Sequence, residues 1–501
     1  MSTLEGIDDP VGASPGTHPC NIRRWRWPSY GLWMLIPLAI VSLLSASCGP
    51  ETPEPPTVPR FPSFGELPPS CGGKDNLQPP ACYDDTLFEL SQDYPTSEPD
   101  SDIDDILKIA YDEDDAWLDY MDALRAYIFE GNLEVDFVVQ ENAVRTWYHM
   151  PWQHWGKAAR EAVHGLTREA TSEVGQLAPE QTETFDTYAI GFYNAPGGYT
   201  IGQVWADNED PRPEAARFAP GTVVAKLLFT EADENQVPYL TNPITWDAWA
   251  YEDYPKPKRV LRPLQLIQMD VMVRDPRHEE TGGWVFATYI YNGTLTDPEP
   301  WNRLRPLGLQ WGDDPEVIAS SASGAVNPTP TETKINPNLA ETRINAAETD
   351  SGAIPPQHLG WDGRLAGAVD NFASSCQSCH GTAEWPVVTA LNPSFTTFVP
   401  NEDKKGLTPE EVVTLYYARM GADKWMNWFQ NRPWGEAWDP ELAVDLDFSL
   451  QMQISIRNFY ASRAEQLRGI FIIDGYPNGV NNTGFDPSDL QDRGNEYQAP
   501  D

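Results

Sequence analysis

Residues 219–229 read A-P-G-T-V-V-A-K-L-L-F, and this stretch decides the class of fold. After a Pro-Gly turn signal, apolar side chains recur at every second position, which is the period of a β-strand with one buried face. Runs with the same period follow at 267–273 and 284–290. The sequence therefore predicts an antiparallel sheet within residues 185–315. The predicted turns between these strands lie at residues 196–198, 219–221 and 282–283.

Helical periodicity flanks the predicted sheet on both sides. Apolar residues recur at spacings of three and four over 106–132, and again over 408–426 and 448–467. Together these patterns predict an α+β fold with an antiparallel β-sandwich-like core, flanking helical segments and a disordered N-terminal tether rich in Pro, Ser and acidic residues. The predicted segments are a lipoprotein signal peptide (1–47), the tether (48–105), a helical His- and Trp-rich segment (106–184), a β-rich domain (185–315), a linker (316–356), a segment with helices around a Cys-x-x-Cys-His motif (357–475) and a disordered tail (476–501).

The N-terminal region has the pattern of an export signal. Three arginines at 23, 24 and 26 precede an apolar run at 31–44, which is shorter than the roughly 20 residues that a bilayer-spanning helix needs. Small residues directly before Cys48 resemble the lipobox of bacterial lipoproteins, so we expect Cys48 to become the lipidated first residue of the mature chain. An uncleaved anchor helix is the alternative. Both outcomes place the body in the periplasm or at the outer cell surface, where disulfides form.

The spacing of the cysteines is the main chemical signal. Of six cysteines, Cys71 and Cys82 flank a Gly- and Pro-rich loop and are expected to form a disulfide. Cys376 and Cys379 lie in the run C-Q-S-C-H, which fits a redox disulfide, half of a zinc site or covalent haem attachment. No second C-x-x-C follows to complete a zinc site, and a thioredoxin-like pair does not need the histidine. The motif favours one haem c bound through both cysteines, with His380 as the proximal iron ligand.

The overall composition limits the partners. The 501 residues carry 34 basic and 75 acidic side chains, a net charge of −41, which disfavours nucleic acid and anionic lipid surfaces. Hydrophobic residues make up 40% of the chain, which is enough for packed cores. An acidic surface suits a basic redox partner protein in the periplasm, although such charge is also a common means of keeping a protein soluble.

Four stretches resemble, in order, the β-sandwich c-haem proteins. They are the strand at 219–228, M-D-V-M-V-R-D-P at 269–276, T-G-G-W-V-F-A at 281–287 and C-Q-S-C-H-G-T-A at 376–383. This family contains cytochrome c′-beta and the hydroxylamine-oxidising cytochromes whose haem is cross-linked to a lysine. The chain departs from the family by a long insertion before the haem motif and by helical segments on both sides. The resemblance implies a haem lying against the sheet, an open distal side, and either binding of NO or CO or oxidation of small nitrogen compounds.

The resemblance makes Lys226 a candidate for the lysine that bonds to the porphyrin edge, and the alternative is a strand-end ammonium in water. His149 and His154, in the Trp-rich stretch 145–156, are further catalytic candidates, because neutral imidazole binds iron and relays protons. Each of them fits a hydrogen-bonded core histidine equally well. A small molecule that binds the haem iron would compete with a distal side chain for the same coordination position. The candidate distal ligands are His358 and, for an ordinary helical monohaem cytochrome, Met420, Met426 and Met452.

These features predict an exported, lipid-anchored monohaem c-type cytochrome that performs electron transfer or redox chemistry at the iron. The alternative is a five-coordinate haem enzyme or gas-binding protein that acts on hydroxylamine, NO or peroxide. Binding of a small ligand by the reduced iron distinguishes the alternative from an electron carrier with two strong axial ligands.

Overall fold

The structure is a computed structural model that describes residues 60–63, 87–113, 115–156, 159–172, 174–175, 177–254, 258–317, 330–336, 339, 375–387, 389 and 426–468. The predicted lipid site at Cys48, the Cys71–Cys82 pair, His358 and Met420 lie outside the described residues. Within the described ranges, no helix combines the length and apolar character needed to cross a bilayer.

An antiparallel sheet forms the centre of the fold, as predicted. The described strands are β1 (Thr167–Ser172), β2 (Phe185–Tyr193), β3 (Val223–Thr230), β4 (Thr245–Tyr251), β5 (Arg259–Arg274), β6 (Trp284–Tyr291), β7 (Leu304–Gln310), β8 (Thr333–Ile335), β9 (Glu384–Trp385) and β10 (Val444–Asp445). Eight of them form one large sheet: seven follow the order β1-β2-β3-β5-β6-β7-β8, and β4 pairs with β5. Strands β9 and β10 form a separate two-stranded sheet.

Strand β5 is the central strand of the sheet, because it is long enough to pair with three neighbouring strands. Its 16 residues pair with β4 along the first half and with both β3 and β6 along the second half. Gln265 is in register with Thr230 of β3 and with Thr245 of β4, so these two strands flank β5 on opposite sides. The predicted run at 267–273 is therefore the central part of a longer strand.

The two faces of the sheet differ. Val223, Ala225, Leu227 and Phe229 of β3 are all fully buried on one face, which confirms the period-two prediction. Helix α1 (Ala116–Phe129) packs on that face, where the Tyr289 hydroxyl of β6 donates to a helix carbonyl at 2.6 Å. The opposite face of β3 carries the residues of even number, including Lys226, and faces the Cys-x-x-Cys-His motif.

Three further α-helices lie within the described ranges: α2 (Ala195–Val204), α3 (Cys376–His380) and α4 (Leu450–Arg468). The turn predicted at 196–198 was wrong, because these residues form the first turn of α2. Asn194 caps that helix by accepting the Gly197 N–H, and proline in the first turn loses no helical hydrogen bond. The predicted turns at 219–221 and 282–283 are confirmed: Gly221, Gly282 and Gly283 all have positive φ.

The packed core extends beyond the predicted β-rich segment. Phe88, Tyr94 and Ile103, inside the range predicted as tether, are buried in the same hydrophobic cluster as the sheet. Strand β1 lies in the segment predicted as helical, and β8 lies in the range predicted as a linker. Composition did not indicate these two strands, because a short polar stretch that pairs with an existing sheet needs few apolar residues of its own.

Candidate haem-attachment site

Helix α3 holds the Cys-x-x-Cys-His motif at one end of the sheet. Ser375 caps the helix, since its hydroxyl accepts an N–H from within α3 at 3.0 Å and donates to the buried Asp313 carboxylate at 2.9 Å. The Gln377 backbone N–H donates to the Gln310 side chain of β7 at 3.0 Å. The Gln377 side chain donates to the carbonyl of Thr281, just before β6. These contacts attach a five-residue helix firmly to β6 and β7.

His380 has a defined tautomer. Its Nδ1 lies 2.8 Å from the carbonyl oxygen of Phe448, and because a carbonyl only accepts, Nδ1 carries the proton. Desolvation lowers the pKa of His380 to about 4, which outweighs the opposite effect of this hydrogen bond, so the imidazole is neutral near pH 7. Its Nε2 therefore presents a lone pair. A neutral histidine whose Nδ1–H is bound to a carbonyl is the form in which histidine ligates metals.

The two cysteines and His380 do not form a compact ion site. Among the described residues, no three His, Cys, Asp or Glu side chains converge on a position for one metal ion. Thioether attachment has a different requirement, since the two sulfurs bond to the porphyrin edge and only the imidazole reaches the iron.

Lys226 lies in the middle of β3 and is paired with Asp270. In the register of the sheet, Gly191, Lys226, Asp270 and Thr288 form one row across four strands. The Lys226 ammonium lies 3.2 Å from the Asp270 carboxylate, which also accepts from Thr288 at 2.9 Å. Desolvation acts to lower the pKa of Lys226, but the charges of Asp270 and Glu169 and the hydrogen bond to Asp270 together outweigh it. The pKa is therefore raised, and the amine stays charged.

The face of the sheet beside α3 is partly exposed at Lys226. The Lys226 side chain is 32% exposed although it lies in a central strand, whereas Ala225 on the opposite face is fully buried. Cys379 and His380 are half-buried, and the charge of Lys226 acts on the pKa of His380, so these groups are near one another. In the same row, the Gln451 side chain of α4 packs against Gly191, where a Cβ atom would collide with it. The two thiols and the neutral His380 imidazole, all on α3, are the groups that would hold a haem there.

The Lys226–Asp270 ion pair is expected to have a coupling free energy of about 1 kcal/mol in a double-mutant cycle. Lys226→Met leaves the Asp270 carboxylate partly buried without its counter-charge, and Lys226→Met/Asp270→Asn removes both charges, so the double variant should lose less stability than the sum of the single variants. The value is modest because a third of the lysine side chain is exposed. Urea unfolding of the four proteins at two salt concentrations measures the coupling, and strict additivity would contradict it. The exposed Lys108–Asp105 pair is the control, with a smaller coupling expected.

His149 and His154 occupy the core. The His149 ring is fully buried, its Nδ1 accepts the Ser91 N–H at 3.1 Å, and it packs edge-on against Phe88. His154 is 8% exposed and stacks on Trp152, with the ring centroids 5.3 Å apart. Burial lowers the pKa of both imidazoles, to about 4 for His154. These contacts describe packed, neutral histidines, and neither is joined to His380 by a described contact.

Replacing His154 by phenylalanine is expected to reduce the sensitivity of the fold to acid. The folded-state pKa of about 4 is below the usual 6.5, so the unfolded state binds more protons and stability is lost as the pH falls between these values. Over that window the wild type should lose up to about 3 kcal/mol relative to His154→Phe. Urea unfolding at a series of pH values measures this. Trp152→Phe changes the stacked partner without removing a titrating group, so it should keep the wild-type slope; an identical slope for His154→Phe would contradict the prediction.

Two of the three candidate distal methionines, Met426 and Met452, are among the described residues. Met452, in α4, is fully buried in the hydrophobic cluster. Met426 is half-buried at the start of the short helix Asn427–Phe429. Met452 therefore occupies a position where a methionine fills space in the core.

Asp270, Thr288 and Phe448 belong to the site and were not predicted. Asp270 had a signal, because it interrupts the apolar run at 267–273 as Lys226 interrupts that of β3. Pairing these two interruptions required the register of the strands. Phe448 had no signal, since its contribution is a backbone carbonyl.

Comparison with protein-family models, curated proteins and solved structures finds no match for this chain.

Proposed function

We propose that this protein is a c-type cytochrome that binds one haem through Cys376 and Cys379, with His380 as an axial ligand of the iron. The observation that carries the proposal is the contact of His380 Nδ1 with the Phe448 carbonyl. It prepares Nε2 for a metal at the position that the motif assigns to the iron ligand.

The haem would supply one-electron redox chemistry and a binding site for small ligands. The protein's own residues hold and orient it: α3 fixes both thiol positions, and the Phe448 carbonyl fixes the plane of the His380 ring. Phe286 of β6 packs against that ring, with the centroids 5.2 Å apart. The α+β core thus takes the role of a haem-holding scaffold, as the resemblance to β-sandwich c-haem proteins implies.

Electron transfer is the first role that we propose, with the acidic surface serving to dock a basic redox protein. Export and lipidation at Cys48 would anchor the protein to a membrane in the periplasm or at the cell surface. The alternative is a haem enzyme or gas-binding protein acting on hydroxylamine, NO or peroxide. One observation favours this alternative: the partly exposed Lys226–Asp270 pair lies beside α3, where the charged ammonium could donate a hydrogen bond to a ligand of the iron.

The test is to mature the full-length chain in a host that attaches haem, extract it with detergent, and record its mass and its reduced spectrum before and after carbon monoxide. A mass increase of one haem that survives acid extraction is expected. A large Soret shift with carbon monoxide would support the enzyme or gas-binding role, whereas an unchanged spectrum would support electron transfer. Absence of covalent haem under conditions that load a control cytochrome would overturn the proposal.

A further inference from the structure

The carbonyl that binds His380 belongs to a turn with two left-handed residues in succession. Asp447 and Phe448 have φ values of 51° and 60°. This conformation is uncommon for residues other than glycine and is unfavourable for a bulky side chain such as Phe448. Two adjacent left-handed residues are stable only where surrounding contacts hold them. The turn at 445–449 must therefore be held by contacts with neighbouring residues.

The contacts that hold the turn are the hydrogen bonds to Asp447. This residue is fully buried, and its carboxylate accepts the Phe218 backbone N–H at 2.6 Å, the Trp284 indole N–H at 2.8 Å and the Trp434 indole N–H at 2.9 Å. Its own N–H donates to Asp445 at 2.9 Å. Hydrogen bonds from neutral donors to a buried carboxylate are short and strong, so these contacts can hold the turn against its backbone strain.

The Phe448 side chain is seated with equal specificity. Its ring lies against Gly282, where a Cβ atom would collide with the ring, and Gly282 itself has a φ of 108°. The ring also packs near Phe286, the residue that contacts the His380 imidazole. The Phe448 side chain and the preceding residue, Asp447, are thereby held in place. In this position the Phe448 carbonyl accepts from His380 Nδ1 at 2.8 Å.

We infer that Asp447, clamped by Trp284 and Trp434, is a positioning residue that sets the hydrogen bond of the axial histidine and through it the reduction potential of the iron. The inference rests on the proposed function. A hydrogen bond from Nδ1–H makes the imidazole a stronger electron donor at Nε2, which favours the oxidised iron and lowers the potential. Weakening the clamp weakens this bond and raises the potential.

The experiment uses Asp447→Asn and Trp434→Phe in the haem-loaded full chain. The readouts are the midpoint potential and, where the reduced iron is five-coordinate, the resonance Raman iron–histidine stretch. Asp447→Asn turns an acceptor into a donor that faces one of the three N–H groups. Trp434→Phe removes one N–H and keeps the charge of Asp447, so it separates the hydrogen bond from the loss of a nearby negative charge. Both variants are expected to raise the potential and lower the stretching frequency, Asp447→Asn by more.

A second readout does not need haem. In the full chain with Cys376 and Cys379 replaced by alanine, ¹⁵N NMR of labelled histidine, assigned with a His380→Gln variant, reports which ring nitrogen carries the proton. The Nδ1–H form is expected, with a mixture of tautomers after Trp434→Phe. The NMR measurement is valid even if haem does not attach to the protein. It therefore tests the role of Asp447 separately from the proposed function.

Glu161→Gln, a buried carboxylate elsewhere in the fold, is the control for general destabilisation and should leave the potential and the stretch unchanged. The inference is overturned if Trp434→Phe and Asp447→Asn lower stability while the tautomer, the potential and the stretch all match wild type. If Asp447→Asn does not fold, Trp434→Phe alone decides the outcome.

Discussion

Replacing Cys376 and Cys379 together by alanine is expected to abolish covalent haem attachment. Each thiol would provide one of the two thioether bonds, and α3 holds both at fixed positions on the sheet. Without them, haem can be held only by His380 and is expected to be removed by acid and organic solvent. Mass spectrometry of the denatured chain, together with haem staining after denaturing electrophoresis, measures the loss.

The single variants sharpen this expectation. Cys376→Ala and Cys379→Ala should each keep one thioether bond, with reduced yield and a red-shifted α-band because one vinyl group stays unsaturated. Ser378→Ala is the matched control, because it changes a buried residue between the two cysteines without removing a thiol. Retention of covalent haem in the double variant would mean that attachment occurs elsewhere, and equal loss in Ser378→Ala would mean that α3 had simply been disrupted.

Glu161→Gln is expected to lower the free energy of unfolding by about 3 kcal/mol or more. The Glu161 side chain is fully buried and accepts four backbone N–H groups. One oxygen accepts those of His164 and Leu166 at 2.6 and 3.1 Å, and the other accepts those of Val163 and Trp249 at 2.8 and 3.0 Å. An amide would point its own N–H groups at two of these donors. The loss is large because the carboxylate joins the 161–166 turn to β4.

Urea unfolding of the haem-free chain, with the slope of the transition compared between variants, checks this value. Glu141→Gln makes the same chemical change at an exposed residue and is expected to alter stability by less than about 0.5 kcal/mol. A loss for Glu161→Gln as small as that of Glu141→Gln would show that the four backbone groups find other partners.

The period of two predicted the central strands because it is a local property. Each apolar residue of β3 on the buried face is placed there by the alternation of side chains, whatever the strand pairs with. The helix at 195–204 was missed for an equally local reason. Its Pro-Gly-Gly sequence is typical of a turn, and only the Asn194 cap and the burial of the helix against its neighbours favour helix over turn.

The sequence by itself determined that two thiols and an imidazole lie together in α3, and it determined the alternation of the strands, since both depend on residues within a few positions of one another. The pairing of Lys226 with Asp270 was decided only by the register of β3 with β5. The same holds for His380 and Phe448, which are 68 residues apart and meet through a strained turn held by Asp447. Such contacts require loops to close and strands to align, and their free energy comes from the assembled core. The local spacing of residues does not indicate which distant carbonyl or carboxylate will contact a given side chain.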